Sequence, residues 1–553
     1  MGLLAMAGLG GRRGTIENGR GPTPSPAGTE ANRRRWLALV VLCTGQLMIV
    51  LDATVVNVAL PVVQRDLHFS SSGVAWVIDA YLITFGGLLL LAGRLGDLLG
   101  RKRVFTFGVL LFTVSSVLCG LAGDQALLIG ARFLQGAGAA VMASMVLSIL
   151  VTLFPEPRQR VAAMSVYAFV ASAGGSVGLL VGGVLTQAVS WHWIFFINVP
   201  IGLAVLGLGS ALIPGAKGLG LRHGVDILGA ILVTAAPSLA VSALVSAGQN
   251  GWGATSTLGL GALAALAGVA FVLVESRVRT PLVPLRIFRS RSRTGAQLAR
   301  LLFPVGLFGT YFLGSLYLQR VLGFGAVETG LAFLPSNLTV ALFSLVITKR
   351  VVARYGTRPP VIVGLLLVAG ALGLLARAPE HATYAVDILP ALLLLGVGAG
   401  LFFMPTIALA MAGTSPEDSG LASGLANVTL QVGAALGVAL VAGVSSSTAS
   451  HLLADGSPVG AALTGGYHAG FLVAAAAVLS AALLAAVLLR PTARPAVEPA
   501  PGAAGVATRS AAAPVVRAHE PVVTWVALGP SRADELVVIA GAPEPEPEGA
   551  VRG

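Results

Sequence analysis

The chain has 553 residues, of which 56% are apolar and only 10% are charged. An ordinary soluble domain has about 25% charged residues, so this composition excludes a soluble globular protein. The formal net charge is +12, but the basic residues lie between long apolar segments and form no patch, so we expect no nucleic-acid partner. Apolar segments of about 18 residues recur along the chain and predict a polytopic, all-α membrane protein.

Fourteen apolar segments are long enough to cross a bilayer as helices. In chain order they fall at about residues 37–61, 74–92, 104–122, 126–153, 161–187, 193–213, 227–247, 257–274, 296–318, 329–348, 360–376, 387–411, 420–445 and 468–489. The two cysteines, Cys43 and Cys119, lie inside such segments, so we expect neither a disulfide nor a metal site there.

The basic residues distribute unevenly between the two sides that these spans define. With the amino terminus inside, the inner segments next to helices carry 23 Lys and Arg residues, and the outer loops carry three, namely Arg65, Arg320 and Arg377. Lys and Arg accumulate on the cytoplasmic side of membrane proteins. The distribution therefore predicts a plasma-membrane protein with both termini in the cytoplasm.

Both ends of the chain differ in composition from the apolar middle. Residues 1–35 are rich in Gly, Pro and Arg, and residues 491–553 are rich in Ala, Pro, Glu and Arg. Such segments bury too little apolar surface to fold, so we expect two disordered cytoplasmic tails.

The loop after the second span is repeated later in the chain. It contains the string GRLGDLLGRKR from Gly93. If Gly100 is aligned with Gly356, the loop between the tenth and eleventh spans has the same layout, with Ala353 at the position of Asp97. This repeat predicts two six-helix bundles, at residues 36–213 and 296–490, separated by a linker with two further helices at 214–295.

Five strings occur in an order that is typical of one transporter family. They are LDATVVNVALP from Leu51, GRLGDLLGRKR from Gly93, RFLQGAGAA from Arg132, GLLVGG from Gly178 and SWHWIFFINVPIG from Ser190. The chain thereby resembles the 14-helix drug:proton antiporters of the major facilitator superfamily, the EmrB/QacA type, over roughly residues 36–490. The resemblance implies a major facilitator fold and export of lipophilic, drug-like or antibiotic compounds in exchange for protons.

The antiporter motif of the fifth span departs from the family pattern. The family usually has proline after the glycine, and here Leu179 follows Gly178. Gly174, Gly178 and Gly182 follow a four-residue spacing that lets another helix approach closely. Together with Gly183 they form the helix-packing motif that we expect here. Because the proline is missing, this motif supports the direction of transport less strongly than the rest of the resemblance does.

Three ionisable residues lie inside predicted spans, where each costs about 2.5 to 3.5 kcal/mol near the bilayer centre. They are Asp52, Asp79 and Arg132, and helix geometry places all three at similar depth. Two carboxyls in such a site do not ionise together easily, so we expect proton exchange near neutral pH. Our hypothesis is that Asp52 carries the proton, Arg132 is its counter-ion, and Asp79 is a second acid or contacts a cationic substrate. The alternative is a fixed pair of Asp79 with Arg132.

The basic loop between the second and third spans is a candidate cytoplasmic gate. Its residues are Gly93, Asp97, Gly100, Arg101, Lys102 and Arg103. Asp97 can pair with a neighbouring arginine or face a helix amino terminus, and opening the cytoplasmic side would break that contact. The alternative is an anchoring turn, which explains the basic residues but not Asp97.

These features predict a secondary transporter that exports a small lipophilic substrate in exchange for protons and works in the lipid bilayer as a monomer. No phosphate-binding glycine loop or HExxH string occurs, so we expect a protein that is not an enzyme, needs no cofactor and is driven by a gradient. The alternatives are an uptake symporter for a small nutrient and a membrane receptor or scaffold. Neither alternative explains three buried ionisable residues in the first bundle combined with so few polar residues in the second.

Overall fold

The computed structural model describes residues 26–489, apart from 216–217, 219, 221–225, 279–280, 284–287, 289 and 412–418. All regular secondary structure in these ranges is helical. Residues 1–25 and 490–553, where we predicted most of the two tails, lie outside the described residues.

Sixteen α-helices make up the described chain. They are α1 (Pro26–Asp66), α2 (Trp76–Leu99), α3 (Arg101–Gly120), α4 (Gln125–Leu153), α5 (Pro157–Ala188), α6 (Trp193–Phe196), α7 (Asn198–Leu212), α8 (Ile227–Asn250), α9 (Thr255–Arg277), α10 (Arg291–Arg320), α11 (Ala326–Leu342), α12 (Thr348–Tyr355), α13 (Arg358–Leu375), α14 (Leu389–Met411), α15 (Ser419–Ala454) and α16 (Val459–Leu488). A 3₁₀ turn at Gly73–Ala75 precedes α2, and π-helical turns at Phe343–Ile347 and Tyr384–Ile388 precede α12 and α14.

Twelve helical segments among the described residues are long and apolar enough to cross a membrane. The fifth and tenth predicted spans correspond to α5 and α11, in which the described residues include the apolar segments Val177–Ala188 and Ala326–Leu342. The all-helical membrane fold is therefore confirmed, whereas the total of fourteen spans stays a prediction.

The first helix begins earlier than the sequence indicated. Residues 26–35 belong to the predicted disordered tail, but they form the first turns of α1. Glu30 and Arg34 lie one turn apart and form an ion pair at 3.2 Å, which stabilises an exposed helix. Charged residues can end a membrane span without ending the helix. The predicted boundary between the disordered tail and the first helix, at residue 35, was therefore wrong.

Helix contacts in the first half of the chain recur in the second half. The pair α1 and α5 corresponds to α10 and α15, and the pair α3 and α4 corresponds to α13 and α14. Likewise α2 packs on α4 as α11 packs on α14, and α7 packs on α1 and α3 as α16 packs on α10 and α13. We call α1 to α7 the first bundle and α10 to α16 the second bundle. Between them in sequence, α8 contacts α2 and α15, one helix from each bundle, and α9 packs on α8.

Gly100 and Gly356 occupy equivalent turns in the two bundles. Both have a positive φ, 96° and 80°, a conformation that favours glycine. Both donate their backbone N–H to the last turn of the preceding helix, to Gly96 in one case and to Val352 in the other. We call the side of the molecule that contains Gly100 the Gly100 end, and the opposite side, where α1 finishes, the Asp66 end.

The small residues of α5 lie where that helix packs closely on α1. A Cβ atom added at Gly178 would overlap the Thr54 hydroxyl, and one added at Gly182 would lie 2.8 Å from the Val55 Cα. At Gly174 the added atom would meet Leu47 at 3.0 Å. Gly183 faces away from α1, toward the Ala326 carbonyl of α11. The stripe thus brings α5 against a helix of its own bundle and against one of the other.

We expect Gly178→Ala to destabilise the protein, because the added methyl group forces α5 away from Thr54, and overpacking of this kind costs about 1 to 3 kcal/mol. The measurement is thermal unfolding of the purified protein in detergent. Gly175→Ala is the matched control on the same helix, since its Cβ would lie 4.0 Å from Thr54. Equal melting temperatures for the two variants would contradict the close contact.

Candidate functional site

Asp52 and Arg132 form a buried ion pair inside the first bundle. Arg132 Nη1 donates to Asp52 Oδ2 at 2.5 Å, and the two side chains are 0% and 1% exposed. Asp52 comes from the middle of α1 and Arg132 from the second turn of α4. Each charge is costly alone in an apolar interior, and together they compensate each other.

Three polar side chains complete the hydrogen bonding of this pair. Asp52 Oδ1 accepts from Gln135 Nε2 at 2.8 Å and from Asn198 Nδ2 at 3.1 Å. Ser116 Oγ accepts from the same two amides, at 2.7 Å and 3.4 Å. The network therefore joins α1, α3, α4 and α7, and Asn198, at the start of α7, connects the fourth of these helices.

Arg132 is held on its other side by α2. Its Nε donates to the Val77 carbonyl at 2.8 Å, and its guanidinium carbon lies 4.4 Å from the centre of the Tyr81 ring. Nη1 also donates to Gln135 Oε1 at 2.7 Å. A cation over an aromatic face is stabilised further, so the arginine is fixed by an anion, a carbonyl and a ring at once.

Asp79 lies near this network but does not join it. It is 0% exposed, and neither of its carboxyl oxygens has a hydrogen-bond partner among the described groups. Gly86 and Leu90, seven and eleven residues further along α2, share its helical face and contact α15 of the second bundle. Asp79 is thus directed toward the interface between the bundles, and the alternative of a fixed Asp79 pair with Arg132 does not occur in this structure.

Two of the residues in the network were missed from the sequence. Gln135 stood out only as one of several uncharged polar residues in spans, and Ser116 and Asn198 did not stand out as site residues. The available signal was the string FFINVPIG, in which Asn198 is an isolated amide beside Pro200 in an apolar stretch.

The two acids are expected to respond differently to the same change. Asp52→Asn leaves Arg132 buried without its anion, and breaking a buried pair in this way costs about 3 to 5 kcal/mol. Asp79→Asn removes no described hydrogen bond, so it should change the free energy of unfolding by no more than about 1 kcal/mol. Thermal unfolding of both purified variants measures the difference, and a larger loss for Asp79→Asn would contradict the pairing described above.

The two bundles are joined at the Asp66 end by hydrogen bonds from α10 to the backbone of α1. Pro61 has no N–H, so the carbonyl of Asn57, four residues earlier, has no donor within its own helix. Ser315 Oγ donates to this carbonyl at 2.7 Å, and Gln319 Nε2 donates to the Val58 carbonyl at 2.9 Å. We call these two bonds the α1–α10 latch. Arg320 adds a bond to Gln64 Oε1 near the end of both helices.

A second contact between the bundles lies at the same end. The Val327 backbone N–H donates to Gln187 Oε1 at 3.3 Å. A Cβ added at Gly183 would lie 2.7 Å from the Ala326 carbonyl, and one added at Gly330 would lie 2.5 Å from the Leu179 carbonyl. Together with the latch, this close approach of α5 and α11 closes the interface between the bundles at the Asp66 end.

Removing the latch hydroxyl should weaken that closure. Ser315→Ala leaves the Asn57 carbonyl without its donor. Loss of a hydrogen bond of about 1 kcal/mol raises the ratio of molecules open at the Asp66 end to molecules closed there roughly fivefold. The measurement is the rate at which a membrane-impermeant maleimide labels Val327→Cys from the Asp66 end, in a background with Cys43→Ala and Cys119→Ala. Ser480→Ala is the control, since that hydroxyl bonds only within α16. A labelling rate unchanged by Ser315→Ala would exclude the latch.

The candidate gate covers the end of α2, the turn at Gly100 and the start of α3, so most of the predicted loop is helical. Arg101 Nη1 donates to the Ser148 carbonyl of α4 at 3.2 Å, and Lys102 Nζ donates to the Ser210 carbonyl of α7 at 2.7 Å. Arg103 is exposed, and a Cβ at Gly93 would meet no atom within 4 Å. The side chain of Asp97 lies outside what the structure describes, so its proposed pairing stays a prediction.

Within the described ranges, no group of three His, Cys, Asp or Glu residues lies close enough together to hold a metal ion. The side chains described above are a charge pair, its amide and hydroxyl partners, and one further acid. Such a group can bind and release protons inside a membrane protein.

Comparison with known proteins places this chain in a family of membrane transporters. The profile of the Major Facilitator Superfamily matches residues 42–438. The puromycin resistance protein of Streptomyces alboniger is 41% identical over 457 residues, which cover 82% of this chain and 90% of that protein. The cephamycin export protein of Amycolatopsis lactamdurans is 37% identical, over 79% and 89% of the two chains. The tetracenomycin C resistance and export protein of Streptomyces glaucescens is 33% identical, over 76% and 78%.

Solved transporter structures have the same fold. The nucleoside transporter NupG superposes with a TM-score of 0.58 at 14% sequence identity, covering 82% of this chain and all of the other. A bacterial homologue of the lysosomal transporter Spinster, in an inward-facing conformation, gives 0.58 at 16% identity, over 82% and 96%. These likenesses concern the fold alone.

The family profile and these relatives define the chain as a membrane transporter. The chain belongs to the major facilitator superfamily, and relatives that are similar over most of their length are antibiotic resistance and export proteins. The expectation of a drug-efflux transporter is thereby confirmed at the level of the family.

Proposed function

We propose that this protein exports a lipophilic, drug-like or antibiotic compound from the cell in exchange for protons. The observation that carries this proposal is its similarity, over about four fifths of the chain, to proteins that confer resistance to antibiotics or export them. Uptake of a nutrient is disfavoured by the same relatives. The buried Asp52 and Arg132 pair supplies the chemistry that such an exporter needs.

The coupling step we propose is protonation of Asp52. As a carboxylate it accepts hydrogen bonds from Arg132, Gln135 and Asn198. A proton on Asp52 removes the charge that compensates Arg132, so the helices that carry the two groups no longer attract each other in the same arrangement. Release of the proton restores the pair. The position of α1 relative to α4 thus depends on whether Asp52 is charged.

Asp79 is the second acid in this scheme. A carboxylate buried with no hydrogen-bond donor is strongly disfavoured, so in this conformation we infer a neutral acid. Its position beside α15 makes it sensitive to movement of the second bundle. When the bundles separate, Asp79 reaches water or a cationic part of the substrate and can lose its proton.

The proposed orientation places the Asp66 end outside the cell. The uneven distribution of Lys and Arg supports a cytoplasmic amino terminus, which leaves the loop after α1 on the outer side. The contacts at the Asp66 end would then seal the outside, and the protein would work by rocking the two bundles about the central site. The site needs residues of one chain only, which supports a monomer as the functional unit.

The decisive experiment measures dye accumulation in cells. Cells that express the protein should accumulate less ethidium, a lipophilic fluorescent cation, than cells without it, and a proton uncoupler should remove the difference. Asp52→Asn should abolish this depletion in protein that still reaches the membrane. Thr106→Ala, which removes a hydroxyl bonded only within α3, is the control and should keep it. Uncoupler-sensitive accumulation inside the cells would favour an uptake symporter instead.

A further inference from the structure

Arg300 is a second large cation buried in the described part of the chain, and the coupling scheme gives it no role. Its side chain is 1% exposed. Nε donates to the Ala426 carbonyl at 3.1 Å, and Nη1 makes a long contact of 3.4 Å with the Thr406 hydroxyl. A guanidinium has five N–H donors, so these contacts occupy a minority of them. No carboxylate among the described residues lies within ion-pair distance.

Arg300 lies in α10 and contacts two other helices of the second bundle, α15 through Ala426 and α14 through Thr406. It lies nine residues after Arg291, about 13 Å along the helix, and therefore inside the apolar part. Tyr311, eleven residues further on, shares its helical face. Ser315, which contacts α1, lies only about 60° around the helix from that face. The guanidinium of Arg300 extends from α10 to α14 and α15, so it lies among three helices of the second bundle.

Aromatic rings pack one turn away from this cation. Phe303 stacks on Phe402 with ring centres 4.0 Å apart and an angle of 15°, and Phe403 meets Phe303 edge-on at 5.4 Å. Phe303 and Phe402 are fully buried, whereas Phe403 is partly exposed. A cation with spare donors next to flat apolar surface suits a ligand that is acidic at one end and aromatic at the other.

We propose that Arg300 is an anion-binding residue of the substrate site and takes the carboxylate of a lipophilic aromatic compound. This inference rests on the proposed export function and names a substrate class for it. A planar guanidinium binds a carboxylate through two parallel hydrogen bonds, which a neutral ester cannot form equally well. The substrate carboxylate compensates the charge of Arg300 in the second bundle, as Asp52 compensates Arg132 in the first.

The test compares two dyes that differ at one group. Rhodamine B has a free carboxylate, and rhodamine B ethyl ester has the same rings with that group esterified. Purified protein in lipid nanodiscs should bind the acid about tenfold more tightly than the ester, by fluorescence anisotropy. Arg300→Gln, which can still donate to Ala426, should lose this preference without weaker binding of the ester. Arg300→Lys, which keeps the charge, should retain part of it.

Two results would overturn the proposal. One is equal binding of acid and ester by the wild-type protein, or an equal loss for both dyes in Arg300→Gln. The other is a preference for the acid in Arg300→Gln that is as strong as in the wild-type protein, since a group other than Arg300 would then bind the carboxylate. Dye binding is measured without a proton gradient. A negative result in this binding test is therefore distinct from a failure of ethidium export.

Discussion

The ion pair of Asp52 with Arg132 determines how the first bundle is assembled. Each partner needs the other, because a single charge in this interior has no other compensation of comparable strength. The amides that donate to Asp52 come from α4 and α7, and the Ser116 hydroxyl of α3 accepts from the same amides, while α2 supplies a carbonyl and an aromatic ring to Arg132. Five helices therefore meet at the ion pair and its amide partners, and their packing is adjusted to a charged, fully bonded Asp52.

This dependence explains how a proton can become a movement of helices in the proposed cycle. A ligand shifts a conformational equilibrium only by the difference in its free energy between the two states. A proton on Asp52 has a large difference of this kind, since it cancels the attraction to Arg132 and changes what Gln135 and Asn198 can donate to. Asp79 has no hydrogen-bond partner among the described residues, so in the proposed cycle its proton is controlled by the distance between the bundles.

The sequence was sufficient for the fold class and for the three ionisable residues inside the first bundle, because both depend on local composition, but it did not single out Arg300 in the second bundle. The equivalence of Gly100 and Gly356 was also visible, since each turn requires a residue that tolerates a positive φ. The pairing of Arg132 with Asp52 was our hypothesis, but Asp79 stayed open as the alternative partner, because both acids lie at similar depth and only the rotation of α1 and α2 decides between them. Asn198 was missed for the same reason, as its role comes from contacts between helices distant in sequence.

The α1–α10 latch has a consequence for how this protein can diversify. Its acceptors are the backbone carbonyls of Asn57 and Val58, one of which is available because Pro61 has no N–H. Backbone carbonyls are identical for every amino acid, so the closure does not depend on which side chains α1 presents at those two positions. Mutations can therefore alter the chemistry of this part of α1 while Pro61, Ser315 and Gln319 keep the closing hydrogen bonds. The closing hydrogen bonds thus constrain the sequence at Pro61, Ser315 and Gln319, and not at the two positions whose carbonyls accept them.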